Sequence, residues 1–259
     1  MSKEEFLKIK MNEKIAKGIY MMKLESFFIS ELARPGQFIH LLCKKDYGAF
    51  LRRPFSLAKI DQKNHEITIV YRVLGKGTQS MCEMKVGEKI SALGPLGHGF
   101  ILKDSYKRVD VVAGGLGTAP ILEIVKYYKN KSRVYLGFID QPILEENIRN
   151  HASKVEIFTE TGSIGKKGLV TKDLLEQWRQ NPPNMVYTCG PKLMMKAVAQ
   201  ICQQLDIPCQ VSLEERMGCG IGACLTCSCK TKKKDQKKEY TRVCKEGPVY
   251  WAEEVVWDE

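Results

Sequence analysis

Four cysteines near the C-terminal end constrain this chain more than any other feature. Cys219, Cys224 and Cys227 are separated by four and then two residues, and Cys244 follows sixteen residues after the third. Three close cysteines on one loop with a distant fourth is the spacing of a [2Fe-2S] site. The residues between them suit it: Gly218, Gly220, Gly222 and Ala223 are small enough to let backbone amides turn toward sulfur. A structural zinc site is the competing reading, although zinc favours pairs of cysteines with two to four residues inside each pair. Cys229 lies two residues past Cys227 and reads as a bystander, because Cys244 supplies the fourth ligand from another segment.

The other cysteines, Cys43, Cys82, Cys189, Cys202 and Cys209, fall within or beside apolar segments, where cysteine behaves as a small hydrophobe. No apolar run approaches the ~20 residues of a membrane helix. The first ten residues alternate charge with single apolar side chains, so neither a membrane span nor a secretory signal is expected, and the cytoplasm is the expected compartment. A reducing cytosol disfavours a disulfide framework and leaves metal binding, redox chemistry or burial for ten cysteines. The formal charge of +11 raises nucleic acid as a partner, but much of it is local: 230–245 holds eight basic residues against two acidic ones. That run has only Tyr240 as an interleaved aromatic and reads as a solvated face, so no nucleic acid is expected.

Along the chain the hydrophobic rhythm changes twice. Short strands at 38–42, 55–59, 66–73 and 89–93, broken by turns, predict an antiparallel β-barrel over 1–100. From 108 onward apolar runs at 109–113, 134–139, 155–159, 185–188 and 210–213 alternate with helical stretches at 120–129, 171–180 and 192–205. This predicts a doubly wound parallel sheet, an α/β domain over 101–212. The remainder, 213–259, is rich in cysteine, glycine and lysine and needs a cofactor as its staple, which makes it a small cluster domain.

Several segments carry binding chemistry. In Arg52-Arg53-Pro54-Phe55-Ser56, an arginine can neutralise a diphosphate and a serine can hydrogen-bond a flavin edge. Val70, Tyr71 and Arg72 end a strand that leads through Gly75, Lys76, Gly77 and Thr78 into a helix start able to cradle phosphate. Gly114-Gly115-Leu116-Gly117-Thr118-Ala119-Pro120 separates a buried strand from a helix, a setting in which glycines admit a dinucleotide to the backbone. Its glycines are more compressed than the Rossmann spacing. Cys189-Gly190-Pro191 follows a later strand at the same end of the sheet. Taken singly, each segment also reads as an ordinary turn.

Taken together, in the order ARPGQF, LRRPFS, YRVLGKGT, GPLGHGF, GGLGTAP, CGP, EERMGCGIGACLTCSCK and RVCKEGPV, these segments resemble the ferredoxin-reductase family. More narrowly, they resemble the electron-transfer subunits of NAD-dependent (class 1B) dihydroorotate dehydrogenases. The resemblance implies FAD held by Arg53, Pro54, Phe55, Ser56, Val70, Tyr71, Arg72, Gly77 and Thr78, and a cluster on Cys219, Cys224, Cys227 and Cys244. NAD falls to Gly114, Gly115, Gly117, Thr118, Cys189, Gly190 and Pro191. It further implies an FMN-containing, dihydroorotate-oxidising partner in a two-by-two heterotetramer of pyrimidine biosynthesis. The partner does the pyrimidine chemistry, so no catalytic acid or base is expected in this chain, and the four scattered histidines read as surface or structural residues. The acidic stretch 140–146 favours NAD over NADP. Two residues depart from the pattern: Phe55 stands where a branched aliphatic side chain is expected and Thr118 where valine is; the lysine-rich insert before Cys244 is also long. Two alternatives stay open: the FAD/[2Fe-2S] subunit of another oxidoreductase, such as an NADPH-ferredoxin oxidoreductase or hydrogenase, and a non-enzymatic iron-sulfur module.

Overall fold

The structure, a computed structural model, describes residues 2–43, 50–232 and 237–257. Its first part is a closed six-stranded barrel. The strands are β1 (Lys3–Ala16), β2 (Ile19–Glu25), β3 (Phe38–Leu42), β4 (Arg53–Asp61), β5 (Glu66–Arg72) and β6 (Lys89–Leu96), joined in the order β1-β2-β5-β4-β3-β6. Two helices interrupt them, α1 (Phe27–Leu32) and α2 (Lys76–Glu83). Strand alternation fills the interior with Leu7, Ile9, Met22, Leu24, Ile39, Leu41, Leu57, Ile67 and Ile69. The last four strands stand where the sequence predicts them, whereas β1 and β2 carry no such signal. Lys8 and Lys10 flank Ile9 in β1, and a strand so charged hides its period-2 signal.

The second part is a mixed sheet in the order β10-β9-β8-β7-β11-β12-β15. Its strands are β7 (Val109–Gly114), β8 (Ser132–Phe138), β9 (Lys154–Thr159), β10 (Lys166–Lys167), β11 (Met185–Cys189), β12 (Cys209–Ser212) and β15 (Val249–Trp251). All pairings are parallel except that of β15 with β12. The linking helices are α3 (Leu122–Tyr128), α4 (Glu145–Arg149), α5 (Leu174–Gln180) and α6 (Lys192–Gln204). Successive strand residues turn to opposite faces. Val111, Val134 and Tyr187 pack with α3 and α4, while Val112, Tyr135 and Val186 pack with α5 and α6. This is the doubly wound arrangement expected from the sequence.

The chain leaves β7 toward β8 on one side, and β11 leads to β12 on the other. The crevice between the carboxyl ends of β7 and β11 is therefore the topological switch point, where open α/β sheets bind ligands. A last hairpin, β13 (Ser228–Lys232) and β14 (Lys238–Arg242), follows the cysteine loop. Lys233, Lys234, Asp235 and Gln236 of the lysine-rich insert lie outside the described residues. No helix among the described residues is long and apolar enough to cross a membrane.

Candidate functional site

A cleft of about 670 Å³ opens between barrel, sheet and cysteine segment. All nine residues expected to hold a flavin line it: Arg53, Pro54, Phe55, Ser56, Val70, Tyr71, Arg72, Gly77 and Thr78. They come from β4, β5 and the start of α2, segments apart in sequence that the barrel's pairing order makes neighbours. The two adjacent arginines divide their work. Arg52 is tied into the barrel, donating to Glu4 Oε1 (2.6 Å), Ser91 Oγ (2.8 Å) and the Ser91 and His40 carbonyls (3.0 and 3.2 Å). Arg53 instead borders the cleft, with Nη1 donating to the Leu51 carbonyl at 2.5 Å. Tyr71 points its ring away: it is buried, and its hydroxyl donates to Asn12 Oδ1 at 2.8 Å, so its main chain is what it can offer the cleft.

The walls suit a ligand with one apolar ring system and one diphosphate. Phe38, Phe55, Val70 and Leu116 supply apolar surface, and Arg53, Arg72 and Lys76 supply positive charge. Helix α2 starts in this cleft with Gly75 at its N-cap and no acidic residue in its first turn. Its N-terminal amides are therefore available to an anion. Thr78 Oγ1 already accepts from the amides of Leu74 (2.9 Å) and Gly75 (3.2 Å), which fixes the loop ahead of the helix.

The residues expected to meet a nicotinamide converge at the switch point. Gly114 ends β7, Gly115, Gly117 and Thr118 form a short 3-10 turn, and Cys189-Gly190-Pro191 leaves β11 beside it. The turns touch so closely that only glycine fits: a Cβ on Gly117 would lie 2.3 Å from the Cys189 carbonyl oxygen. One on Gly190 would lie 2.8 Å from the Gly114 nitrogen. Leu116 and Ala119 from this turn reach the cleft wall, so the crevice and the cleft adjoin. Thr118, the departure from valine, is buried with its hydroxyl unpartnered, as is that of Thr188.

The cysteine loop brings the four candidate cysteines together in two pairs. Cys219 Sγ accepts from the amides of Ile221 (3.5 Å), Ala223 (3.2 Å) and Cys224 (3.4 Å), and Cys224 Sγ from the Cys219 amide (3.4 Å) and Thr226 Oγ1 (3.2 Å). Cys227 Sγ accepts from the Cys244 amide at 3.4 Å. Among the described residues no three ligating side chains converge on a single ion. Two thiols on each side fit a cluster of two irons, and the inward amides suit its sulfurs. The Thr226 hydroxyl pulls the exposed Cys224 thiol down to about 6, whereas burial pushes Cys244 up to about 12. Arg242 braces the site: Nη1 donates to the Gly222 carbonyl at 2.7 Å, and Nε donates to Glu246 Oε2 at 3.0 Å. Cys229 is half-buried against Thr241, outside both pairs.

Sequence reasoning missed part of the cleft. Leu213, Glu214, Glu215 and Met217, just before Cys219, and Pro248, just after Cys244, also line it. The cysteine segment is thus a wall of this cleft. The only signal for this was their proximity to the cysteines. His40, one of the four histidines expected to be surface or structural, lies inside the molecule. It is fully buried, and burial first, then the charges of Arg52 and Arg53, holds its imidazole down to about 4, so that it is neutral.

A barrel carrying such a cleft, followed by a nucleotide-type α/β sheet at whose switch point the cleft ends, defines a flavin-dependent reductase of the ferredoxin-reductase class, here with an iron-sulfur segment appended. Residues 214–256 match the family model for the iron-sulfur cluster binding domain of dihydroorotate dehydrogenase B, and 111–200 that for an oxidoreductase NAD-binding domain. The chain is 41% identical over 247 residues to the dihydroorotate dehydrogenase B (NAD(+)) electron transfer subunit of Caldanaerobacter subterraneus subsp. tengcongensis, covering 95% of this chain and 96% of that one. It is 38% identical to the subunit of the same name from Geobacillus sp., covering 99% and 100%. A solved NADH-dependent reduced ferredoxin-NADP oxidoreductase, studied for flavin-based electron bifurcation, superposes with a TM-score of 0.86 at 27% identity over 98% of this chain and 91% of that one. The cytochrome b5 reductase domain of Ulva prolifera nitrate reductase shares the fold at 16% identity, with a TM-score of 0.64 over 79% of this chain and 94% of that one. The chain belongs to the family of dihydroorotate dehydrogenase B electron transfer subunits.

Proposed function

We propose that this chain carries electrons from the FMN of a dihydroorotate-oxidising partner through a [2Fe-2S] cluster and FAD to NAD+, in the cytosol, as part of a two-by-two heterotetramer of pyrimidine biosynthesis. The observation that carries this reading is the shared wall. Residues flanking the cysteine pairs, Leu213, Glu214, Glu215, Met217 and Pro248, border the same cleft as the nine flavin candidates. The chemistry a flavin supplies when bound there is conversion between the single electrons a cluster handles and the hydride a nicotinamide requires. Arg53, Arg72, Lys76 and the start of α2 would hold its diphosphate. Phe38, Val70 and Leu116 would exclude water from its ring. Cys219 with Cys224, and Cys227 with Cys244, would hold the two irons. The glycine turns at 114–118 and 189–191 would admit the nicotinamide. Three functional parts follow: a flavin barrel over 1–100, a nicotinamide domain over 101–212 and a cluster segment over 213–259.

Preference for NAD over NADP is supported by charge around the second strand's end. Asp140 there accepts from Thr161 Oγ1 at 3.1 Å. Two cations near it in sequence are engaged, Arg149 with Glu145 (2.7 Å) and Lys154 with Glu156 (2.6 Å), which lowers their pull on a 2'-phosphate. The test is anaerobic co-purification with the candidate partner and spectroscopy of flavin and cluster. Bleaching by dihydroorotate and recovery with NAD+ are expected. Bleaching by nicotinamide alone would reassign the partner, and absence of flavin would overturn the reading.

A further inference from the structure

His40 is where the barrel meets the cluster loop. Alternation along β3 sends Ile39 and Leu41 into the barrel and His40 to its outer face. There it faces Pro54 of β4 and Leu93 of β6 across the ladder. Pro54, and Phe38 two residues along β3, both line the flavin cleft. From the other side the ring is covered by Gly220, the residue after Cys219. Gly220 has φ +73°, and a Cβ there would lie 2.5 Å from His40 Nδ1. The side chain is fully buried, yet neither Nδ1 nor Nε2 has a hydrogen-bond partner. The main chains of Arg52 and Cys219 lie beside the ring without reaching hydrogen-bond geometry.

A buried polar group left unpaired is costly, and native structures pair nearly all of them. An apolar side chain would fill this seam without that cost. An imidazole carries at least one N–H donor in either protonation state, and beside Gly220 a sulfur of the cluster competes for it with the Cys219 carbonyl. Cys219 Sγ already accepts from three amides. We propose that His40 donates a ring N–H to a sulfur of the cluster on the Cys219 side, and is thereby a positioning residue that sets the cluster's reduction potential. The inference rests on the reading of the four cysteines as a [2Fe-2S] site. A hydrogen bond to a cluster sulfur offsets the negative charge that reduction adds, so losing it makes the cluster harder to reduce.

The experiment uses the whole protein labelled with 15N-histidine, reduced with dithionite and examined by pulsed EPR. A weak 15N coupling to the cluster is expected, and it should vanish in His40→Asn and His40→Leu. His40→Leu should shift the one-electron equilibrium about tenfold toward the oxidised cluster, ~59 mV, while His40→Asn, which keeps an N–H donor, should recover part of that shift. A cluster signal without any histidine coupling in the wild-type protein overturns the proposal and leaves the ring as packing against the Cys219 carbonyl. Coupling that survives both substitutions overturns it as well, by assigning the nitrogen to another of the four histidines. Absence of any cluster signal overturns the [2Fe-2S] reading itself, a different failure. If His40→Leu does not retain its cluster, the labelled wild-type protein still decides.

Discussion

Gly117→Ala tests the nicotinamide crevice with one added methyl group. The new Cβ would sit 2.3 Å from the Cys189 carbonyl oxygen, 2.5 Å from its carbon and 2.6 Å from the Gly190 nitrogen. All three are backbone atoms, so no side chain can swing aside. Carbon–oxygen contact begins at about 3.3 Å, and one of the two turns must therefore retreat by about 1 Å. Both turns are fixed to neighbouring parallel strands, β7 and β11, paired from Met185↔Val109 to Cys189↔Ala113. The retreat is therefore confined to the turns themselves, and the sheet survives. A displacement of about 1 Å in a positioning element can cost about a hundredfold in rate, equivalent to about 2.7 kcal/mol of transition-state stabilisation. The assay is NADH-driven reduction of an artificial acceptor, with flavin content and the EPR signal of the dithionite-reduced cluster as controls. The expected result is a kcat/KM for NADH about a hundredfold lower with both controls unchanged. A value within about threefold of wild type, a difference too small for a displaced turn, would refute the assignment of these turns to the nicotinamide.

Two further predictions separate structure from function. Arg52→Ala removes four barrel hydrogen bonds, among them the ion pair to Glu4, and should lower the unfolding free energy by about 2 kcal/mol while flavin content holds. Arg53→Ala should leave the urea midpoint in place and weaken FAD retention at least about tenfold, more so at high salt; an exchange of these two phenotypes would reverse the roles given to the arginines. Burial opposes ionisation of Glu156, but Lys154 and Lys166 outweigh it, so its carboxyl titrates below its ordinary value. Its contribution is thus present above the unfolded-state value and is lost as pH falls through the lower folded value. Glu156→Gln should cost about 1 kcal/mol at neutral pH, and urea melts near pH 4 should show that difference shrinking.

The sequence was most informative where chemistry forces a spacing. The cysteine intervals alone picked out four candidates that the fold brings together in two pairs, and the apolar runs at 109–113 and 185–188 predicted the strands that frame the switch point. It was least informative where function depends on which surfaces meet. β1 escaped because its buried residues, Leu7 and Ile9, are interleaved with lysines and glutamates that a barrel's solvent face tolerates. His40 escaped because nothing local marks a β3 residue as facing a loop 180 positions away. The cleft wall at 213–217 escaped for the same reason, since its role appears only when the cluster loop folds back on the barrel.

That folding back also explains how so small a segment holds its place. Among the described residues the hairpin of β13 and β14 joins neither larger sheet, though it is bridged to 254–256, Lys232 N donating to the Glu254 carbonyl (2.6 Å) and Val256 N to the Lys230 carbonyl (3.1 Å); two strands alone are marginal in water. The chain on either side of it is fastened at three further points. β15 adds to the edge of the α/β sheet against β12, and the Pro248 carbonyl accepts from the Leu213 amide at 2.9 Å. The Gly247 carbonyl accepts from the barrel's His98 amide at 2.6 Å. Cys227, Val243 and Cys244 are buried in one core with Phe38 and Leu96 of the barrel and Val198 of α6. The cluster residues are therefore held by both larger domains at once, beside the cleft that the barrel lines. Relative motion of barrel and sheet would strain this segment first, so, on the assignment proposed above, the distance between cluster and flavin and the crevice offered to the nicotinamide are fixed together.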